Sequence, residues 1–250
     1  MADEILTEVR GRILVITLNR PEARNSINNA LGTALIAATR RLDEDDALSL
    51  GVLTGAGKGF SAGMDLKAFA KEGPPRSFGE FLQKPCEKPL IAAVEGFALA
   101  GGLEIALACD LIVAARGVPL GIPEAKRGLF AAGGALLRLP PRIGIGKAME
   151  LALTAEPIPA ERGLELGLID RLAEPGAALE GALALAETIA RNAPLSLKLS
   201  KKLLRGMQGR TEAEFWELQG GDAATVFASE DAREGAVAFA QKREPEWKGR

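Results

Sequence analysis

Up to about residue 172, short apolar runs of strand character alternate with stretches of helical period, and from about 175 onward only helical signals remain. That alternation constrains the fold more than any other feature. Successive strand–helix units lay their strands side by side under crossover helices, which predicts an α/β core with a mostly parallel sheet. The strand runs are 4–9 and 12–18, joined tightly at Gly11 as a hairpin, then 48–54, 90–94 and 111–115. Helical spacing covers 28–42, a short helix entered from 60–67, the stretch after Gly101, a start at Pro123, an opening at Gly133-Gly134, and 142–153. The end of the chain predicts helices over 177–192, 196–208, 211–226 and 230–241. The expected division is a core at 1–192 and a helical C-terminal region at 193–250. The Pro-, Gly- and charge-rich segment 71–88 is expected as a mobile loop.

Within the core, Gly96-Phe97-Ala98-Leu99-Ala100-Gly101-Gly102-Leu103-Glu104-Ile105-Ala106-Leu107-Ala108-Cys109-Asp110 organises the rest. A glycine pair interrupts an apolar run, and Glu104 follows with almost wholly apolar neighbours. Burial there raises a carboxyl pKa and fits the group for proton transfer. A helix that begins at the glycines leaves its first N–H groups without partners, ready to hold a developing negative charge. A hydropathy window would read 97–115 as a membrane span. Glu104 and Asp110 would each cost about 2.5–3.5 kcal/mol at mid-bilayer, with no basic flank, so no span is expected.

A second carboxylate in an apolar setting, Glu124, directly follows Pro123. Paired carboxylates act as acid and base in proton transfer, hydration or glycoside cleavage. An acid in a first helical turn also complements the helix dipole, so position alone leaves both readings of Glu124 open. A second glycine turn, Ala62-Gly63, also follows a strand run. Neither this turn nor Gly101-Gly102 matches a phosphate-loop or dinucleotide fingerprint. Together they either direct two N–H groups at one oxygen or serve only as turns.

Composition narrows the chemistry. The chain has no His and no Tyr, which excludes Ser-His-Asp and Cys-His catalysis, His-ligated zinc and tyrosine acids. Carboxylates become the first choice. Cys86 and Cys109 are too few for a disulfide framework and lack metal-ligand spacing, so no metal site is expected. With no basic-then-apolar leader in Met1-Ala2-Asp3-Glu4-Ile5, a cytoplasmic location is the expectation. A net charge of −2 argues against nucleic acid as a partner. Lys198, Lys201, Lys202, Arg205 and Arg210 are expected to form a solvated helix face.

Taken in order, these pieces resemble the crotonase (enoyl-CoA hydratase/isomerase) superfamily over nearly the whole chain. The stretch from Ile16 to Asn25 resembles its opening motif. Phe60-Ser61-Ala62-Gly63-Met64-Asp65-Leu66 resembles its first oxyanion-hole turn, and Gly96 to Glu104 its second. Pro123-Glu124, Gly133-Gly134 and the tail from Glu234 to Phe239 fall where the family has them. The resemblance implies a spiral of ββα and βαβ units with a C-terminal helical region, and trimers that pair into hexamers. It implies an acyl-CoA thioester as substrate, with no cofactor beyond the CoA carried on it. The thioester oxygen would be held by the N–H groups of Ala62 and Gly101. Glu124 would exchange the proton at Cα, and Glu104 would orient and deprotonate the water added at Cβ. Ala23, Arg24, Ala62, Gly63, Met64, Asp65 and Leu66 would line the CoA site, and Phe239 and Lys242 would reach its adenosine end.

Keeping both glutamates while lacking His and Tyr favours hydration of a trans-2-enoyl-CoA over the other chemistries of the superfamily. Carnitinyl-CoA dehydration and double-bond isomerisation are the alternatives within it, and an acyl-CoA-binding or RNA-binding relative is the alternative of another class. Two departures from the family pattern stand out. Ala100 replaces a more usual glycine, and Leu129-Phe130-Ala131-Ala132 replaces a Pro-containing turn beside the acyl pocket.

Overall fold

A computed structural model describes residues 3–84 and 86–250. In chain order the elements begin with β1 (Ile5–Arg10), β2 (Ile13–Leu18), α1 (Asn29–Glu44), β3 (Leu50–Gly55), α2 (Leu66–Glu72) and α3 (Arg76–Gln83). There follow β4 (Leu90–Val94), β5 (Ala98–Leu99), α4 (Gly101–Ala108), β6 (Leu111–Ala115), β7 (Pro119–Gly121) and a 3-10 turn at Pro123–Arg127. The rest comprises α5 (Ala135–Thr154), β8 (Ile158–Pro159), α6 (Ala160–Leu166), β9 (Arg171–Ala173), α7 (Ala178–Ala190), α8 (Pro194–Gly206), α9 (Glu212–Ala228) and α10 (Glu230–Gln241). The α/β class and the helical C-terminal region stand as expected.

The main sheet runs β1-β2-β3-β4-β6-β9. Only β1 and β2 are antiparallel, turning at Gly11 (φ 59°); each later strand adds in parallel. A parallel sheet is covered on both faces, so its strands read as continuous apolar runs. The strand β2 shows how the burial divides. Leu14, Ile16 and Leu18 enter the large core with α1 and α4, while Ile13 and Val15 join Leu50, Val52, Ile91 and Val113 beneath Ala182, Leu183, Leu185 and Ala186 of α7. Each such aliphatic side chain contributes about 1.5–3 kcal/mol by leaving water. A second, smaller sheet, β5-β7-β8, holds the start of α4.

Two expectations need correction. Within 71–88, of which Pro85 lies outside the described residues, the centre is not a loop: α3 occupies 76–83 and buries Phe78, Phe81 and Leu82. Those three residues keep helical spacing inside a composition rich in turn formers, and tertiary burial prevails over composition. The helix expected to open at Gly133-Gly134 and the one expected at 142–153 are both present, as the two halves of α5 on either side of a kink at Gly144 (φ 74°, ψ 154°). Finally, the basic residues of α8 are not simply solvated. Lys201 and Arg205 pair with Asp110 at 2.8 and 2.7 Å, Lys198 with Glu87 at 2.6 Å, and Lys202 with Asp222 at 2.8 Å. These contacts fasten α8 to the core. Among the described residues no helix is long and apolar enough to cross a membrane.

Candidate active site

The site grows from the start of α4. Ala100 donates its N–H to the Gly121 carbonyl (2.9 Å), and β5 pairs with β7 through Leu99 and Gly121, so the entry to the helix is fixed from one side. From the other side, Leu99 N–H bonds Ser61 O (3.1 Å), and a side chain at Gly102 would collide with that same carbonyl. Only glycine lets the two turns lie together here. Ala100 itself has φ 51° and ψ −129°, a conformation that favours glycine.

Every residue of α4 is buried, including Glu104, which is 4% exposed. Its Oε1 accepts the N–H of Ala135 at 3.2 Å, at the start of α5. Burial pushes the Glu104 carboxyl up, opposed by hydrogen bonds from the backbone of Ala135 and Gly133 and by the charge of Arg138. Glu124 lies in the 3-10 turn, with Pro123 as its first residue. Its Oε2 is buried and, among the described residues, has no hydrogen-bond partner. Burial, together with the nearby Glu104, pushes the Glu124 carboxyl up to about 7. The two acids thus differ, one braced by donors and one with an oxygen left bare.

The first glycine turn behaves differently from the expectation for Ala62. The Ala62 N–H is already taken, donating to the Arg24 carbonyl at 3.0 Å. Next along, Gly63 O accepts from Ile27 N–H (2.9 Å) and Asp65 N–H donates to Ile27 O (3.0 Å), which makes Met64 the bridging residue of a parallel pair. In that geometry the neighbours make the bonds, and the Met64 N–H points to the opposite side. Neither Met64 nor Gly101 has an acceptor for its N–H among the described residues. The turns touch at this point: a Cβ on Gly63 (φ 91°) would lie 2.8 Å from Gly101 N.

The two glutamates and the two glycine turns meet at one cavity of about 540 Å³. Glu104, Glu124, Gly101, Ala62, Met64, Leu66 and Arg24 surround it, as the sequence leads one to expect. Its apolar wall, Phe69, Phe78, Leu82, Leu129 and Phe130, comes largely from α2, α3 and the 129–130 turn. Phe69, Phe78 and Leu82 went unnoticed in the sequence, although the Phe78–Phe81–Leu82 spacing was a usable signal. Ala23, Gly63, Asp65, Phe239 and Lys242 do not line it. Asp65 instead caps α2 through the N–H groups of Lys67 and Ala68, both at 3.1 Å, and pairs with Arg20 at 3.2 Å. Phe239 is 88% exposed on α10, and Lys242 closes that helix with φ 54°.

The family model for enoyl-CoA hydratase/isomerase matches residues 8–250. The chain belongs to the enoyl-CoA hydratase/isomerase family. Among its members, this chain is 39% identical over 258 residues to enoyl-CoA hydratase EchA19 of Mycobacterium tuberculosis, covering 99% of this chain and 97% of the relative. It is 37% identical over 263 residues to carnitinyl-CoA dehydratase of Salmonella arizonae, covering both chains in full. Among solved structures of the family, a crystal structure of enoyl-CoA hydratase from Mycobacterium tuberculosis matches with a TM-score of 0.95 at 52% identity, also covering both chains in full. The crotonase resemblance and the fold that it implies are thereby established, and the chain is a family hydro-lyase.

Proposed function

We propose that this protein adds water reversibly to a trans-2-enoyl-CoA whose acyl chain is apolar. The observation that carries the reading is the shared cavity, where a buried glutamate, Glu104, and a half-buried one, Glu124, in different hydrogen-bonding states meet two backbone donors, Met64 N–H and Gly101 N–H, unengaged among the described residues. Those donors would accept the thioester oxygen as it gains charge, and losing one such donor costs about 10²–10³ in rate.

The electron flow follows from that placement. Glu104, as carboxylate, takes a proton from water while the water oxygen bonds to Cβ. The π pair of the double bond moves through Cα to the thioester oxygen and is held there by the two N–H groups. The carbonyl then re-forms as Cα takes the proton of Glu124, whose raised pKa keeps that proton available near neutrality. In the reverse direction the same groups exchange roles. Met64 replaces Ala62 as the first donor because the Ala62 N–H is engaged by Arg24.

The acyl specificity follows from the wall. Phe69, Phe78, Leu82, Leu129 and Phe130 favour an apolar chain. The same three phenylalanines favour, as second reading, a trimethylammonium acyl group held on aromatic faces, as carnitinyl-CoA dehydration would need. Against it, among the described residues the only carboxylates on the cavity are the reacting pair. RNA binding loses its support, since Lys198, Lys201, Lys202 and Arg205 are committed to ion pairs. A homotrimer or hexamer goes with this reading: exposed Phe227, Trp216 and Phe239 on α9 and α10 would then be covered by a neighbouring copy. Phe239 and Lys242 would meet the CoA of that neighbour.

The test is loss of the conjugated enoyl-thioester absorbance with crotonyl-CoA, longer trans-2-enoyl-CoAs and crotonobetainyl-CoA. Turnover of the apolar substrates that collapses in Glu104→Gln and Glu124→Gln, with CoA-ester binding retained, supports the reading. Turnover of crotonobetainyl-CoA alone selects the second. Binding without turnover of any substrate overturns both.

A further inference from the structure

We propose that Arg138 is a positioning residue for the hydration, acting through Glu104. The proposal rests on the two-glutamate reading above. Arg138 projects from the first half of α5, and its guanidinium donates to two carbonyls, Gly133 O at 3.2 Å and Leu82 O. Leu82 belongs to the last turn of α3, where helical carbonyls lack intrahelical donors. One side chain therefore joins the end of the cavity wall to the turn beside Glu104.

That turn has no slack. A side chain at Gly133 would collide with the Glu104 carboxylate and with Leu82, so the backbone is wedged between them. Gly134 (φ 100°) lies directly under the Arg138 guanidinium, where a Cβ would collide with it. The chain then delivers the Ala135 N–H to Glu104 Oε1. Arg138 thus holds the segment that holds the acid.

The charge matters as well as the fork. Among the described residues Arg138 forms no ion pair with a carboxylate, although Lys201 and Arg205 nearby share Asp110. The charged and titratable groups that face it are Arg205 of α8, Glu104 of α4 and Cys109. Glu104 in turn faces Arg138 and, across the cavity, Glu124. A half-buried cation left without a counter-ion favours the carboxylate form of Glu104 and does nothing equivalent for Glu124. Arg138 therefore adds its charge to the backbone donors of Ala135 and Gly133 on the carboxylate side of Glu104, against the burial that favours the neutral acid.

The experiment measures kcat and KM against pH for wild type, Arg138→Lys and Arg138→Met, with circular dichroism and thermal melting alongside. Wild-type turnover tests the hydratase reading by itself, so its failure is distinguishable from failure of this proposal. In Arg138→Met, kcat falls about tenfold or more, KM stays within about threefold, and the acidic limb of the kcat profile moves to higher pH because Glu104 has lost its cation. In Arg138→Lys the charge remains and the fork is lost, so kcat falls while the acidic limb stays in place. A lower melting temperature with wild-type kcat and an unmoved limb in Arg138→Met overturns the proposal. Where Arg138→Met does not fold, wild-type kcat in Arg138→Lys overturns it, and lowered kcat at unchanged KM supports it.

Discussion

Glu104 and Glu124 share one cavity but not one supply of hydrogen-bond donors. Glu104 accepts the N–H of Ala135 and has a cation behind it, whereas Glu124 presents a buried oxygen that no group among the described residues satisfies. Two like carboxylates in one low-dielectric space are driven apart in proton affinity, and the less braced one keeps its proton. The proposed assignment of base and acid rests on this difference, and it predicts an activity sensitive to pH in a defined direction.

For hydration, Glu124 must carry its proton, so kcat for hydration declines as pH rises through about 7. A stopped-time assay from about pH 5 to about pH 9, at saturating enoyl-CoA, checks this. A profile flat through neutrality would remove Glu124 from the proton-donor role.

The same group bears on stability with the opposite benefit. Its folded pKa of about 7 lies above the ordinary 4.5, so the folded state binds the proton more tightly than the unfolded chain. Between those values stability declines as pH rises, and the whole penalty remains above about 7. Glu124→Gln removes the penalty. Its melting temperature relative to wild type is therefore expected to be higher at pH 8 than at pH 4.5, measured by thermal denaturation in matched ionic strength. An equal difference at both pH values would contradict the buried, proton-retaining placement.

Ala100 holds a backbone conformation suited to glycine (φ 51°, ψ −129°). Relief of such strain is worth about 1–3 kcal/mol, less about 0.5–1 kcal/mol for the greater freedom of glycine in the unfolded chain. Ala100→Gly is expected to stabilise the protein by about 1 kcal/mol, read from denaturant unfolding, with turnover retained.

Asp110 joins the core to α8. It accepts Leu90 N–H at 2.8 Å and pairs with Lys201, whose side chain is 9% exposed, and with Arg205. Asp110→Ala leaves that ammonium without a counter-ion and is expected to cost about 3 kcal/mol in chemical denaturation. Lys198→Ala removes only an exposed pair with Glu87 and is expected to change stability by under about 0.5 kcal/mol. Comparable losses in the two variants would show that α8 is held by its apolar contacts alone.

The parts of the molecule legible in the sequence are those where one residue's environment is set by its chain neighbours. Glu104 in its apolar run, the strands on both sides of the sheet and the terminal helices are of that kind. What escaped depends on contacts between distant segments. The Ala62 N–H could not be known as taken until Arg24 O was placed against it. Helix α3 was masked because Pro74, Pro75 and Gly79 outweigh, by composition, the three residues that bury it. The basic face of α8 reads as solvated until Asp110, Glu87 and Asp222 arrive from elsewhere.

The close approach of Gly102 to the Ser61 carbonyl has a consequence for how the site meets its ligand. With Leu99 N–H bonded to Ser61 O and Ala100 N–H to Gly121 O, the two turns are tied together by the backbone itself. On the reading proposed above, the Met64 and Gly101 N–H groups are consequently aligned by the same bonds that fold the chain. Reorganisation on binding is then confined to the ligand and to the side chains of the wall, so affinity for a charged enolate mimic is set by preorganisation and not by induced closure.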